Sequence, residues 1–562
     1  MTEKIHQHMY TRERKGIFQD SAGYDTIAMS EGLEPFFVKK YLHPFCLYHG
    51  PKKLREQGNR DSSCYPPAVT IFQPETGELV IGQAVFVPAD FTGARSTYFM
   101  HSFVIPSDQK DHWVQQPEML FQLKESFQTS YDISQGPVLP ELELVSYKKA
   151  DILEDIVLNR LGIKNADLQQ LLYAVMTSIS GKKKVFITLN VPLQEYSRYA
   201  LMLLELLFLY LPYAFRNMLG AITFTSEPET RNYIHVTFFE PGTLNISDPS
   251  IKKQFIFDFA GGFISSVSLP LEQKEFFDFA FEDLTRMDDF FKFSEMALAG
   301  LPVEEKLSLE SYNQLTDLFL TLANDDRDLF LKDKVAFLDK LIKFLKHREE
   351  DKSPLVELFL RVLENGQLAV DLNLRMKNLK LEDLKCFRDN ISDELVLKIK
   401  NETARDYFLV LKALSKLINS SGESASCYLK LLTSNGRHQL NGMLQRILSE
   451  KSISAPFRLL FIAFETSNDE VDFPKLLNFI INHYNEMTMC SFIKESANLA
   501  AVDLLFRSSL KSYLIHHPRS IWKNKTWRKE LQSVNDSLFK LFVKEIEKET
   551  SNPLVRLLKG MS

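Results

Sequence analysis

The chain of 562 residues has few cysteines, no long apolar run and no excess of positive charge. Its five cysteines are scattered and odd in number, which argues against a disulfide framework and favours a reducing cytoplasm. The most apolar run, residues 201–215, is shorter than the ~20 residues of a membrane span and is interrupted by Glu205 and Pro212. We therefore expect a buried helix there, and the polar N-terminus offers no apolar segment of the kind found in secretion signals.

The formal net charge is -6, which argues against a surface built as a whole to bind nucleic acid. Hydrophobic residues make up 45% and charged residues 25% of the chain, as in folded globular proteins. Phenylalanine occurs 44 times, so the cores should be rich in aromatic rings. The length predicts two or three domains, because single cores rarely exceed about 250 to 300 residues.

Three regions differ in their apolar period and predict an α+β protein. Residues 1–145 contain short strand-like runs such as "GYDTIAMS", "PFFVKKYLHPFCLYH", "AVTIF" and "TYFMHSFVI", which predict a strand-rich domain. Residues 146–265 alternate helical and strand-like runs and predict a mixed α/β domain. In residues 266–562 nearly every apolar run has helical spacing, which predicts an all-helical region, either an irregular bundle or a solenoid.

The segment "DFTGARSTYFMHSFVIP" contains the candidate catalytic groups Asp90, Arg95 and His101. Strand alternation places His101 on the face of Phe99, Phe103 and Ile105, where a histidine is typically a hydrogen-bonded core residue. Asp90 and Arg95 suit an acid and an anion-binding guanidinium, but the same pair also closes loops by a salt bridge. The structural interpretation is preferred, with a hydrolase or nuclease site at these residues as the alternative.

Two other patterns resemble known sites only in part. His43, Cys46, His49 and Cys64 carry zinc-ligand groups, but without the spacing of a recognised finger. "SISGKKKVFI" resembles a phosphate-binding loop, yet Met176 stands where the first glycine belongs and Lys183 where a hydroxyl belongs. We therefore expect no metal, no cofactor and no nucleotide hydrolysis, and keep the four zinc-type residues as a weak alternative.

A basic cluster near the C-terminus interleaves cations with Trp522 and Trp527. Such a pattern suits phosphates and stacked bases, whereas the structural alternative has the tryptophans anchoring the last helices while the charges are solvated. The candidate polyanion-binding residues are Lys511, Arg519, Lys523, Lys525, Arg528 and Lys529.

Several stretches together resemble one protein family. They are "YTRERKGIFQDSAGYDTIAMSEGL", "YLHPF", "GELVIGQAVFVPADFTGARSTYFMHSFVIP", "LPYAFRNMLGAITFTSEPE" and "VTFFEPG". The resemblance is to the type-two N-terminal domain and the middle domain of the GTPase-associated proteins of bacterial conflict systems, over roughly residues 8–260. It implies a non-enzymatic adaptor or scaffold that acts beside a GTPase or other NTPase partner in a bacterial cytoplasm. No catalytic residue is carried over from the family.

The three regions lead to a first prediction. Limited proteolysis should cut first near residues 145 and 265, because the apolar period changes at these points. The measurement is mass spectrometry of the earliest fragments. First cuts inside "TYFMHSFVI" or the apolar run at residues 201–215 would contradict this domain organisation.

Overall fold

The computed structural model describes residues 4–123, 126–149, 154–265, 267, 269–270, 274–324, 334–346, 352–364, 383, 386, 481, 485–495, 497, 500 and 504–551. These residues fall into two compact units, Met1–Leu320 and Thr321–Ser562. The predicted class is confirmed: strands dominate the N-terminal part, strands and helices alternate in the middle, and the described C-terminal residues are mostly helical. The predicted domain limits near residues 145 and 265 stay predictions.

The first unit contains a mixed sheet of eleven strands, in the order β11-β10-β7-β9-β8-β3-β4-β5-β1-β2-β6. The strands are β1 (His6–Glu13), β2 (Gly23–Ser30), β3 (Ala68–Phe72), β4 (Leu79–Val87), β5 (Thr97–Ile105), β6 (Val138–Leu139), β7 (Val185–Thr188), β8 (Ala221–Thr225), β9 (Val236–Phe239), β10 (Phe255–Asp258) and β11 (Phe263–Ile264). The antiparallel pairs include β1–β2, β1–β5, β4–β5, β3–β4 and β3–β8. The pairs β8–β9, β9–β7 and β7–β10 are parallel.

Helices flank this sheet in the first unit and make up most of the described C-terminal residues. Up to residue 324 they are α1 (Pro35–Phe37), α2 (Lys52–Glu56), α3 (Ser107–Gln115), α4 (Pro117–Phe121), α5 (Glu154–Leu161), α6 (Asn165–Ser180), α7 (Tyr196–Tyr210), α8 (Tyr213–Arg216), α9 (Pro249–Lys252), α10 (Lys274–Glu282), α11 (Met287–Leu298), α12 (Val303–Lys306) and α13 (Leu309–Asn324). The later ones are α14 (Lys334–Leu345), α15 (Ser353–Glu364), α16 (Glu486–Glu495), α17 (Leu504–His516), α18 (Lys525–Gln532) and α19 (Ser537–Ser551). Most of residues 365–480 lie outside the described part, so the choice between bundle and solenoid stays open.

Two expectations about individual segments have clear outcomes. The run "PFFVKKYLHPFCLYH" is not a strand: α1 continues as a π-helix, Val38–Leu42, and a 3-10 helix, His43–Phe45. Pro35 lies in the first turn, where its missing N–H costs nothing. The helical segment buries Phe37 and other apolar side chains against Phe72, Val80 and Val104 of the sheet.

The apolar run around residue 201 forms the buried helix α7, as expected. Glu205, the acid that interrupts this run, is buried and accepts a hydrogen bond from Gln122 Nε2 at 2.7 Å. Burial raises the pKa of the Glu205 carboxyl to about 7. None of the described helices combines the length and the apolar character that crossing a bilayer requires.

Gly220, directly before β8, is required by close backbone packing at the junction of the two sheet halves. A Cβ at this position would lie 1.8 Å from the carbonyl oxygen of Tyr233. We expect Gly220→Ala to lower the free energy of unfolding by about 1–3 kcal/mol, as overpacking does elsewhere. Urea denaturation gives the value, with Gly23→Ala as the control, because the nearest atom to a Cβ there is 3.6 Å away. Equal losses in both variants would contradict the packing argument.

Candidate functional site

A cavity of about 490 Å³ in the first unit brings together four parts of the chain, namely β2, residues 48–65, β4 and residues 94–98. Its walls combine arginine and tyrosine side chains, and no aspartate or glutamate is among the described residues that line it. We call it the arginine–tyrosine cavity and define it by Tyr24, Tyr48, Arg55, Arg60, Tyr65, Arg95 and Tyr98.

One wall is a stack of tyrosines that the strand order creates. Tyr24 of β2 and Tyr98 of β5 lie across β1 from each other, with ring centroids 4.8 Å apart and nearly parallel planes. The Tyr98 hydroxyl donates to the Cys46 carbonyl at 2.6 Å, and Thr97 Oγ1 donates to the Tyr24 hydroxyl at 3.0 Å. The rings are therefore fixed before any ligand or partner arrives, which reduces the entropy lost on binding.

A second wall comes from the residues on both sides of α2. The Tyr48 hydroxyl donates to the Pro66 carbonyl at 2.6 Å, and the Tyr65 hydroxyl donates to the Asn59 carbonyl at 2.8 Å. Tyr65 also stacks on Phe86 of β4, with centroids 3.8 Å apart. These contacts hold a polar loop rigidly against the sheet.

The three arginines differ in how their guanidinium groups are held. Arg60 Nη2 donates to the Ala94 carbonyl at 2.9 Å and so ties the two loops together. Arg55 Nη2 donates to Ser226 Oγ at 3.2 Å and also pairs with Glu227 Oε1 at 3.5 Å, which offsets part of its charge. The Arg95 side chain has no hydrogen-bond or ion-pair partner among the described residues. Because a guanidinium fork matches carboxylate and phosphate geometry, the arrangement can accept an anionic group.

Asp90 shapes the loop that carries Arg95, but the two side chains form no ion pair. Asp90 Oδ2 accepts from Arg12 Nε at 3.1 Å, and Oδ1 accepts from the hydroxyl and the backbone N–H of Thr92. The bonds from Thr92, followed by the one from Arg12, lower the pKa of the Asp90 carboxyl. Gly93 completes the turn with φ +76°, a left-handed conformation that favours glycine. Asp90 thus anchors the loop, with Arg12 as its ion-pair partner instead of Arg95.

His101 lies in the core of the sheet, 1% exposed, and its ring packs against that of Phe103, with centroids 4.6 Å apart. The Gln128 N–H donates to its Nδ1 at 3.1 Å, so Nε2 carries the proton and donates to Gln7 Oε1, also at 3.1 Å. Gln7 Nε2 in turn donates to the Pro140 carbonyl at 2.8 Å. Burial lowers the pKa of the imidazole to about 4. Both ring nitrogens are engaged in fixing neighbouring segments.

The four zinc-type residues do not share a site: Cys64 Sγ donates to Asp61 Oδ2 at 3.7 Å, and the two histidines have other partners. His43 Nε2 is bonded to Thr26 Oγ1 at 2.9 Å, and His49 Nδ1 lies 3.2 Å from Glu227 Oε1. Cys46 is buried, which raises the pKa of its thiol. Across the described parts of the chain, no group of three or more His, Cys, Asp or Glu side chains could hold a metal ion.

Within the second unit, the C-terminal basic cluster is partly neutralised by its neighbours. Lys511 pairs with Glu545 at 2.7 Å, and Arg528 donates twice to the Trp522 carbonyl. Trp522 is buried, whereas Trp527 Nε1 donates to Glu486 at 2.9 Å. The exposed members of the cluster are Arg519, Lys523, Lys525 and Lys529. Polyanion binding there stays a prediction.

Sequence reasoning found Arg95 but missed Arg55, Arg60 and the tyrosines of the cavity. These residues lie on strands and loops that are distant in sequence, and neither a motif nor a period marks them. The only available signal was the polar loop "KLREQGNRDSSCYPP", which carries two of the three arginines.

Comparison with known families assigns both halves of this sheet. Residues 4–145 match GTPase-associated protein 1, N-terminal domain type 2. Residues 157–261 match GTPase-associated protein 1, middle domain. The resemblance to these two domains seen in the sequence is therefore confirmed over residues 4–145 and 157–261, whereas the context of a bacterial conflict system stays a prediction. Neither the curated proteins nor the solved structures include a match to this chain.

The buried, neutral state of His101 leads to a prediction about pH. The unfolded histidine takes up a proton near its ordinary pKa of 6.5, whereas the folded one does so only near 4. The neutral His101 therefore stabilises the folded state above pH 6.5. As the pH falls towards 4, its contribution to the free energy of unfolding decreases by up to about 3 kcal/mol. His101→Gln should lose less stability than the wild type between pH 7 and pH 4.5 in urea denaturation.

The control for this experiment is His112→Gln, because His112 is exposed on α3. It should keep the wild-type dependence of stability on pH. An unchanged pH dependence in His101→Gln would contradict the assignment of His101 as a neutral core residue.

Proposed function

We propose that the protein is a non-enzymatic adaptor that binds a GTPase partner in a bacterial conflict, or defence, system in the cytoplasm. The observation that carries the proposal is the match of both the N-terminal and the middle part to domains described as GTPase-associated. The two domains share one continuous sheet, so a partner bound to one of them meets a rigid surface.

The surface that we assign to the partner is the arginine–tyrosine cavity. Tyrosine and arginine, like tryptophan, are enriched among the residues that dominate the binding energy of protein interfaces. The guanidinium of Arg95 is unpaired among the described residues, and no acid lines the described walls of the cavity. The expected occupant is an acidic segment of the GTPase partner.

The alternative of a hydrolase or nuclease at Asp90, Arg95 and His101 has less support. A general base needs an accessible atom that can take a proton from substrate or water. Asp90 uses both carboxylate oxygens to hold its own loop and Arg12, and His101 uses both ring nitrogens inside the sheet. We therefore favour binding over catalysis at these residues.

Affinity purification from the native host tests the adaptor function. The tagged chain should retain a GTPase, and the amount retained should differ between GDP and a non-hydrolysable GTP analogue. The purified chain alone should not hydrolyse GTP. Recovery of no GTPase under either condition, or GTP turnover by the chain alone, would contradict the proposal.

Charge reversal tests the assigned surface. Arg95→Glu should weaken partner binding by about 30-fold, equivalent to about 2 kcal/mol, because it places a carboxylate opposite the acidic segment. Arg198→Glu is the matched control, because Arg198 is exposed on α7 and lies outside the cavity. Calorimetric titration with the recovered partner gives both affinities. Equal affinities would place the interface elsewhere while leaving the adaptor function intact.

A further inference from the structure

A second cavity lies at the other half of the sheet, where two lysine pairs meet. Lys182 and Lys183 precede β7, and Lys252 and Lys253 precede β10. The two strands are parallel neighbours, with Val185 opposite Phe255. Because parallel strands begin at the same edge of a sheet, the residues before them are brought to one place.

Backbone contacts hold this edge in register. The Phe255 N–H donates to the Lys184 carbonyl at 2.9 Å, and the Lys184 N–H donates to Gln254 Oε1 at 2.7 Å. All four lysines line a cavity of about 1080 Å³, together with Phe255 and Phe263. We call it the lysine cavity.

The positive charge of the lysine cavity is not compensated within the described structure. None of the four ammonium groups forms a salt bridge with a described residue, and no Asp or Glu is among the described residues of the lining. The nearby Asp248 is engaged in capping α9, where it accepts from Ser250 N at 2.8 Å. An anion that enters the lysine cavity would therefore be attracted by all four charges.

We propose that the lysine cavity binds a small ligand that carries two or more linked phosphate groups. Lysine ammonium groups bind phosphate as mobile point charges, and the four of them match the several charges of a polyphosphate. The volume accommodates more than one phosphate, and ligand cavities of small molecules are typically about 300–1,000 Å³. Inorganic polyphosphates and nucleoside polyphosphates share this chemistry.

A single-stranded nucleic acid fits the lysine cavity less well. Such ligands need several aromatic platforms along a continuous groove. Here the face of Phe255 is covered by Lys183 Nζ, 5.0 Å from the ring centroid, which leaves Phe263 as the exposed ring of the lining, 39% exposed. The site also differs from a phosphate-binding loop, because its lysines precede their strands, so the proposal concerns binding and not hydrolysis. It does not depend on the GTPase partner.

Isothermal titration of the full chain with sodium tripolyphosphate and with a nucleoside triphosphate, without divalent cations, tests the proposal. Both should bind at low salt, and the affinity should fall as sodium chloride is raised. The double variant Lys183→Gln/Lys253→Gln should lose affinity by at least about tenfold, since each hydrogen bond to a charged group is worth about that factor. The four lysines are exposed, so the variant is expected to fold.

The matched control is Lys52→Gln/Lys53→Gln, which removes the same charge from adjacent exposed lysines outside the lysine cavity. It should keep wild-type affinity. Binding of the nucleoside triphosphate alone would support the proposal and assign part of the affinity to Phe263. Binding of neither probe, equal losses in both double variants, or binding only of a single-stranded oligonucleotide would overturn it.

Discussion

The pairing of β3 with β8 joins the antiparallel half of the sheet to the parallel half, and the rest of the first unit depends on it. Thr70 lies opposite Ile222 and Ile71 opposite Ala221, and both strands are buried along their whole length. Buried backbone groups must find hydrogen-bond partners, so neither strand could end its half of the sheet as a free edge. The Val69 N–H donates to Thr223 Oγ1 at 2.8 Å and extends the junction beyond the regular ladder. The regions that match two separate family descriptions therefore share one sheet within one compact unit.

Strand order also creates both cavities. The tyrosine stack exists because β1 lies between β5 and β2, which brings Tyr98 and Tyr24 to the same face. The lysine pairs meet because β7 and β10 are parallel neighbours in register. In each case the sheet supplies the geometry, and the loops or turns before the strands supply the charged groups. Sites of this kind are rigid, since the strands that carry them are fixed by pairing on both sides.

The strands and the long helices could be predicted from the sequence, because their signals are local. The runs "GYDTIAMS", "AVTIF" and "TYFMHSFVI" coincide with β2, β3 and β5, where apolar residues are bounded by turn residues. The segment around His43 was wrongly predicted as a strand, because its aromatic residues satisfy β propensity. Its buried residues Phe37, Val38, Tyr41, Leu42 and Phe45 recur at helical spacing, and this period, with Pro35 at the start, was the better signal.

The cavities could not be predicted, because they arise from pairings between distant strands that no local period encodes. "SISGKKKVFI" resembles only an incomplete phosphate-binding loop, and the pair Lys252–Lys253 belongs to no motif that predicts a binding site. The net charge of -6 also does not indicate where on the surface an anion-binding site lies. It argues against a surface that is basic as a whole, but the field that a ligand meets is set by the charges lining one concavity. The chain as a whole has an excess of acids, which opposes nonspecific association with polyanions. The described linings of the two cavities contain no acids. The local charge there is therefore positive and favours an anionic ligand.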